Sequence, residues 1–232
     1  MLELKSISYE VKGGSRAKIL DQISLTIKPG TLTIITGPNG SGKSTLADVI
    51  MGIKPATSGR IVLDKEDVTD LDITTRAKKG LAYAFQQPVH LKGINAYDLI
   101  NIASGELISP EDATKILKKV GLSSEYLSRE ISDKLSGGEL KRIEIASVLA
   151  KNARIIIFDE PEAGIDLWSF DNLIKIFKKL KSDGVTTIII SHQERILKLA
   201  DEIIILEKGK IKKKGAPAKI LSNLAGGAYA VN

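Results

Sequence analysis

The sequence predicts an α/β fold, a mostly parallel sheet built around one phosphate-binding loop, with an antiparallel β subdomain before the loop and a helical subdomain inserted after it. Three observations carry that expectation. Gly37, Gly42, Lys43 and Ser44 match the pattern G-x-x-x-x-G-K-[ST], between a strand-like apolar run, Leu32 to Ile35, and a helix-like run, Leu46 to Met51. Beyond residue 150, apolar runs of strand length alternate with a helical pattern, as parallel strands joined by helices require. Between these parts, from residue 89 to about 135, the apolar spacing changes to a helical one.

Taken in order, residues 2–28 alternate apolar and polar positions, as in Ile23, Leu25 and Ile27, and Gly13-Gly14 marks a turn between two half-exposed strands. Pro29-Gly30 then turns the chain into the buried strand before the loop. After the first helix come a loop at residues 55–59, a short strand from Arg60 to Leu63, and an apolar strand from Leu81 to Phe85 that ends at Gln86-Gln87-Pro88. In the helical stretch, Ala113, Ile116, Leu117 and Val120 form one apolar stripe that stops at Gly121. An amphipathic helix runs from Glu139 to Leu149, followed by strands Ile155 to Phe158, Thr186 to Ile190 and Ile203 to Leu206, with a helix around Phe170 to Leu180. The expected organisation is one domain over residues 1–232. Its catalytic core and β subdomain take residues 1–88 and 151–232, and its helical subdomain takes residues 89–150.

Composition narrows the function classes. With 43% apolar and 27% charged residues, the chain has the balance of a globular protein rather than a disordered one. Its 232 residues hold one nucleotide-binding domain, not two in tandem. No apolar stretch approaches the roughly 20 residues that span a bilayer. The start, Met1-Leu2-Glu3-Leu4, lacks the basic and apolar regions of a secretory signal, so a cytoplasmic protein without direct membrane insertion is expected. The absence of cysteine excludes disulfides and thiolate-held clusters on this chain. The net charge of +6 fits a nucleic-acid or acidic-membrane partner, and it fits substrate phosphates and solvated lysine faces equally well. The densest basic run, Lys208 to Lys214, is broken by Gly209 and Ile211 and reads as a solvated hairpin. No nucleic-acid partner is expected.

The loop itself spans Gly37, Pro38, Asn39, Gly40, Ser41, Gly42, Lys43, Ser44 and Thr45. Its glycines let backbone N–H groups turn inward around phosphate oxygens, and the helix that begins near Lys43 adds the positive end of its dipole. Lys43 is placed to reach the β- and γ-phosphates of a nucleotide, and the Ser44 hydroxyl to ligate Mg²⁺. Ile155 to Phe158 delivers Asp159 and Glu160. Asp159 is the candidate for the metal, and Glu160 for accepting the proton of a water that attacks the γ-phosphate. Gln86, at the end of a core strand, can sense the metal or the attacking water. Ser136-Gly137-Gly138-Glu139 by itself reads as a plain capping box; beside a nucleotide site its two glycines also allow close backbone approach to an anion at a helix N-terminus. His192, directly after the strand that ends in Ser191, is structural or catalytic.

In order, residues 37–45, Gln86, Leu135 to Glu139, Asp159-Glu160, Asp166 and His192 resemble the motifs of ATP-binding cassette ATPases. The resemblance covers nearly the whole chain. It implies an ABC-type P-loop ATPase using ATP and Mg²⁺, with Glu160, His192 and Gln86 catalytic and Ser44, Gln86 and Asp159 at the metal. It also implies an ATP-dependent homodimer in which Ser136, Gly137 and Gly138 of one subunit complete the γ-phosphate site of the other, with Ser136 and Asp166 at the interface. The aromatic that often stacks on adenine in this family has Tyr9 or Val11 as its counterpart here. Within the family the chain is most similar to the SufC type, the ATPase of the SUF iron–sulfur cluster assembly system. The similarity lies in Arg76 to Leu81, Ala84 to Val89, Gly138 to Glu144, Ala163 to Asp166 and Arg195 to Leu197. Glutamates stand at 139 and 144, where transporter ATPases more usually have glutamine and alanine. The implied partners are soluble SufB- and SufD-like scaffold proteins. The alternatives are the nucleotide-binding subunit of a membrane transporter, and an ATP-gated clamp with little turnover.

Overall fold

The computed structural model of the protein describes residues 1–11, 17–88, 90–132 and 134–225; the expected Gly13-Gly14 turn lies outside the described residues. Two sheets form the core. The first is antiparallel, in the order β2-β1-β4-β5, from β1 (Leu2–Val11), β2 (Ala17–Ile27), β4 (Ser58–Leu63) and β5 (Glu66–Asp67). The second has six strands in the order β12-β11-β3-β10-β9-β6, from β3 (Leu32–Thr36), β6 (Leu81–Ala84), β9 (Ile155–Asp159), β10 (Thr186–Ile190), β11 (Glu202–Glu207) and β12 (Lys210–Gly215). All of its pairings are parallel except β11 with β12.

The central strands β3, β9 and β10 are buried at every residue. Their β-branched runs suit a strand covered on both faces, which is why their sequences show no polar alternation. Successive side chains still part to opposite faces. Ile34, Ile156, Phe158 and Ile189 join the core cluster that carries the helical subdomain, while Ile35, Ile155, Ile157, Ile188 and Ile190 join the one shared with the antiparallel sheet. The basic run expected as a hairpin is one: β11 and β12 pair around Lys208-Gly209, with Lys210, Lys212 and Lys214 exposed.

The helices are α1 (Lys43–Met51), α2 (Ile73–Lys78), α3 (Ala96–Ser104), α4 (Pro110–Lys119), α5 (Gly137–Ala150), α6 (Leu167–Ser182), α7 (Glu194–Leu197) and α8 (Pro217–Ala225). The caps explain their limits. Asn95 and Asp98 form a capping box at α3, Ser109 accepts from the Asp112 N–H before Pro110 opens α4, and Gly52 ends α1 at φ 79°. Arg76, 1% exposed, donates to Val49 O and Ile50 O at 2.7 Å each and so closes the carboxyl end of the phosphate-loop helix. The segment expected to be helical also holds a two-stranded ribbon, β7 (Leu91–Asn95) with β8 (Glu130–Ile131). Its pairing is non-local, and Glu130 holds Gly93 N at 2.9 Å, so five residues gave no period to read.

Candidate active site

Because β3, β9, β10 and β6 run parallel and in register, their carboxyl ends gather Thr36, Asp159, Ser191-His192 and Phe85-Gln86 at one edge. The loop from β3 to α1 completes that edge. Gly37 is required there by packing, since a Cβ would lie 1.9 Å from Leu206 O. Gly42, at φ 101°, caps α1 in the left-handed region favoured by glycine. Lys43 is 5% exposed, and its Nζ donates to Gly37 O at 2.9 Å and Pro38 O at 3.0 Å, which folds it back over the loop. Burial lowers its pKa, against the opposing charges of Glu160 and Asp159. Pro38, Asn39 and Gly40 are exposed, whereas Ser44 and Thr45 are half-buried at the start of α1.

Asp159 ends β9 at 1% exposure. Burial pushes its pKa up, and the neighbouring Ser44 and Tyr83 hydroxyls oppose that. Tyr83 donates to Oδ2 at 3.1 Å, while among the described residues Oδ1 is buried with no hydrogen-bond partner. A buried carboxylate oxygen without a donor, beside the Ser44 hydroxyl, is the donor set that suits a hard divalent cation. The residues therefore fit Mg²⁺ held by Asp159 and Ser44.

Glu160 follows in left-handed backbone, φ 44°, held by its N–H to Ile190 O at 3.0 Å. Such a conformation costs a non-glycine residue roughly 1–2 kcal/mol, and it turns the Glu160 side chain away from the direction that β9 gives Asp159. Gln86 Nε2 donates to Glu160 Oε2 at 2.8 Å, and His192 Nε2 lies 3.9 Å from Oε1. The His192 Nδ1 is 3.4 Å from Thr36 Oγ1. Burial, then the nearby Lys43 charge, lower the His192 pKa, against the opposing charge of Glu160. The structure thus brings together Lys43, Ser44, Gln86, Asp159, Glu160 and His192. Gln86 spends its amide nitrogen on Glu160.

The other expected residues sit elsewhere. Ser136 caps α5 in a full capping box with Glu139, and among the described residues its hydrogen-bond partners lie in that same turn. A hydrogen bond from Tyr126 and those from Ser136 hold the Glu139 carboxyl down at about 2. Gly138 packs close to Gly164, where a Cβ would meet Gly164 O at 3.1 Å. Asp166 caps α6 by accepting from Ser169 N at 3.0 Å and Ser169 Oγ at 2.7 Å. Tyr9 is half-buried against the core, whereas Val11 is 44% exposed.

Sequence reasoning missed two members of the site. Tyr83 reads as an ordinary apolar strand residue, yet its hydroxyl joins Asp159 to Asp48 on α1, the latter at 3.5 Å. Glu162 reads as a loop acid, yet burial pushes its pKa up, and Ser191 Oγ donates to its Oε1 at 2.5 Å beneath His192. Only the position of each residue relative to Asp159 and His192 signals a role.

Comparison with known proteins agrees with this geometry. Residues 20–163 match the family model described as ABC transporter. The chain is 38% identical over 227 residues to an uncharacterized ABC transporter ATP-binding protein of Methanocaldococcus jannaschii, covering 94% of this chain and 90% of the relative. It is 30% identical over 229 residues to the lipopolysaccharide export system ATP-binding protein LptB of Escherichia coli strain K12, covering 96% and 93%. Among solved structures, a dimeric ATP-binding cassette in a post-hydrolysis state bound to ADP and Pi superposes with a TM-score of 0.86 at 27% identity, covering 94% of this chain and 99% of that one. A nucleotide-free cassette from an ABC transporter gives 0.81 at 30% identity, covering 98% and 95%. The chain belongs to the ABC transporter family, as an ATP-binding cassette of the kind that binds ATP with Mg²⁺ and hydrolyses it.

Proposed function

We propose that this chain is the ATP-hydrolysing subunit of a transporter assembly, in which closure around ATP moves a docked membrane partner. The observation that carries the reading is the Glu160 carboxylate held by Gln86 at 2.8 Å, with His192 3.9 Å away, at the edge where Lys43 and Asp159 converge. Backbone N–H groups of residues 37–45 and Lys43 would cradle the phosphates, and Ser44 and Asp159 would hold Mg²⁺, with Gln86 as a further ligand once its side chain leaves Glu160. When bound, Mg²⁺ supplies charge neutralisation at the phosphate oxygens. Glu160 takes the proton of the attacking water, and His192 donates a hydrogen bond to a γ-phosphate oxygen.

Ser136, Gly137 and Gly138 are then the residues that close over ATP on a second copy of the chain, with Ser136 and Asp166 at the interface. The dimeric state of the cassette bound to ADP and Pi supports this arrangement. The helical subdomain, residues 89–150, is the docking surface. LptB and the energy-coupling factor transporter ATP-binding protein EcfA2 of Streptococcus pyogenes, 30% identical over 236 residues, are transport proteins by name, which supports a membrane partner. In the described residues no helix is long and apolar enough to cross a membrane, so on this reading the span belongs to the partner.

A second reading has its own support. Glu144, which pairs with Lys141 on α5 at 3.1 Å, lies in one of the stretches similar to the SufC type. On that reading the partner is a soluble SufB- or SufD-like scaffold, and ATP closure times cluster assembly on cysteines that this chain lacks. Capture of the complex from native lysate with a tagged chain separates the two. Recovery of a multi-span membrane protein supports the transporter, and recovery of a soluble scaffold in its absence supports SUF assembly.

A further inference from the structure

The strand β6 is an edge of the six-stranded sheet, and its last ladder pairing is Ala84 with Phe158. Among the described residues the backbone of the next residue, Phe85, therefore has no strand partner, although it immediately precedes Gln86. Its polar groups are taken by one face of α5. Glu144 Oε1 accepts from Phe85 N at 2.7 Å, and Lys141 Nζ donates to Phe85 O and, at 3.4 Å, to Gln86 O. Lys141 and Glu144, one helical turn apart, also pair with each other at 3.1 Å, with side chains 0% and 13% exposed. The Phe85 backbone is thus gripped through both its donor and its acceptor by two charged side chains that solvent hardly reaches.

A buried ion pair is an inefficient way to add stability, because desolvation of both charges offsets their attraction, and apolar residues of similar size pack α5 on β6 as well. Apolar residues would leave the Phe85 N–H and C=O without a fixed protein partner. What the pair adds is position. It fixes the main chain at Phe85-Gln86, and through it the Gln86 amide that lies 2.8 Å from Glu160 Oε2. Lys141 also stands one helical turn after Gly137, the first residue of α5, so the same contact ties Gln86 to the Ser136-Gly137-Gly138 turn.

We propose that Lys141 and Glu144 are positioning residues for ATP hydrolysis: their grip on the Phe85 backbone sets Gln86 against Glu160 and makes Gln86 and the amino end of α5 move as one body. The inference stands on the ATPase activity of the family and needs neither partner assignment.

The test uses two full-length variants, with steady-state ATP hydrolysis and amide hydrogen exchange at Phe85 as readouts. Lys141→Met/Glu144→Ala removes the grip and leaves no buried charge. Lys141→Gln/Glu144→Gln removes the charges and keeps groups able to bond Phe85 N and O. The expected result for Met/Ala is a kcat down by about tenfold with KM for ATP within about threefold, and faster exchange at Phe85, because orientation rather than nucleotide affinity is lost. Gln/Gln is expected to restore protection and kcat together. A folded Met/Ala variant with wild-type kcat would overturn the proposal. If Met/Ala does not fold, Gln/Gln decides alone: protection and kcat kept together or lost together support the inference, and either one lost without the other contradicts it.

Discussion

Gln86 donates its side-chain amide to Glu160 at 2.8 Å, across 74 residues of sequence, and so joins the end of β6 to the end of β9. Both residues follow the last residue of a core strand or nearly so, where the parallel register brings them side by side. Glu160 has left-handed backbone, φ 44°, which separates its direction from that of Asp159 next to it. On the proposed mechanism the two adjacent acids divide the work, Asp159 on the metal side and Glu160 on the water side.

Tyr83 reaches Asp159 Oδ2 at 3.1 Å and orients it. Groups that orient a metal ligand through a hydrogen bond typically contribute about 10- to 100-fold in metal affinity. Tyr83→Phe should therefore raise the Mg²⁺ concentration for half-maximal ATP hydrolysis by about tenfold, while kcat at saturating Mg²⁺ falls less. A magnesium titration at fixed ATP measures this, and an unchanged midpoint would separate Tyr83 from the metal.

Glu162 is half-buried, and desolvation raises its pKa from the ordinary value, against the opposing Ser191 hydrogen bond. The folded state therefore favours its protonated form. That contribution to stability is present in full below the unfolded value, about 4.3, and is lost as pH rises through the folded value. Glu162→Gln does not titrate, so its melting midpoint should exceed that of the wild type by more at pH 8 than at pH 5. Thermal unfolding at the two pH values checks the sign.

The Gly37 Cβ position falls 1.9 Å from Leu206 O, which is backbone and cannot step aside. Gly37→Ala should displace the phosphate loop from β11 and weaken ATP binding by at least about tenfold, since the loss exceeds a single hydrogen bond. Fluorescent-nucleotide titration reads it. Affinity within about twofold of wild type would show that β11 yields.

If the Ser136-Gly137-Gly138 turn closes over the ATP of a second copy, Glu160→Gln with Mg²⁺ and ATP should sediment as a dimer, and Lys43→Ala should remain a monomer. A monomeric Glu160→Gln at saturating ATP would contradict the closed pair.

Much of this was legible because it is local. The loop from Gly37 to Thr45 announces its glycines and lysine in consecutive positions, and the runs Leu32 to Ile35, Ile155 to Phe158 and Thr186 to Ile190 announce strands buried on both faces. The Lys208-Gly209 hairpin was readable for the same reason. What escaped is non-local. The β7-β8 ribbon pairs residues far apart in sequence, and Tyr83 acquires its role only because β6 lies beside β9. Lys141 and Glu144 look like the polar face of an amphipathic helix; nothing in their spacing says that this face meets an unpaired backbone instead of water.

The central claim is that Glu160 takes the proton of the water that cleaves ATP at this edge. The most direct measurement compares wild type and Glu160→Gln in steady-state ATP hydrolysis, with nucleotide affinity measured in parallel. The amide keeps the hydrogen bond to Gln86 but is not a base, so kcat should fall by about 100-fold or more with ATP affinity kept within about threefold. Turnover equal to the wild type in a Glu160→Gln protein that binds ATP normally would contradict the account.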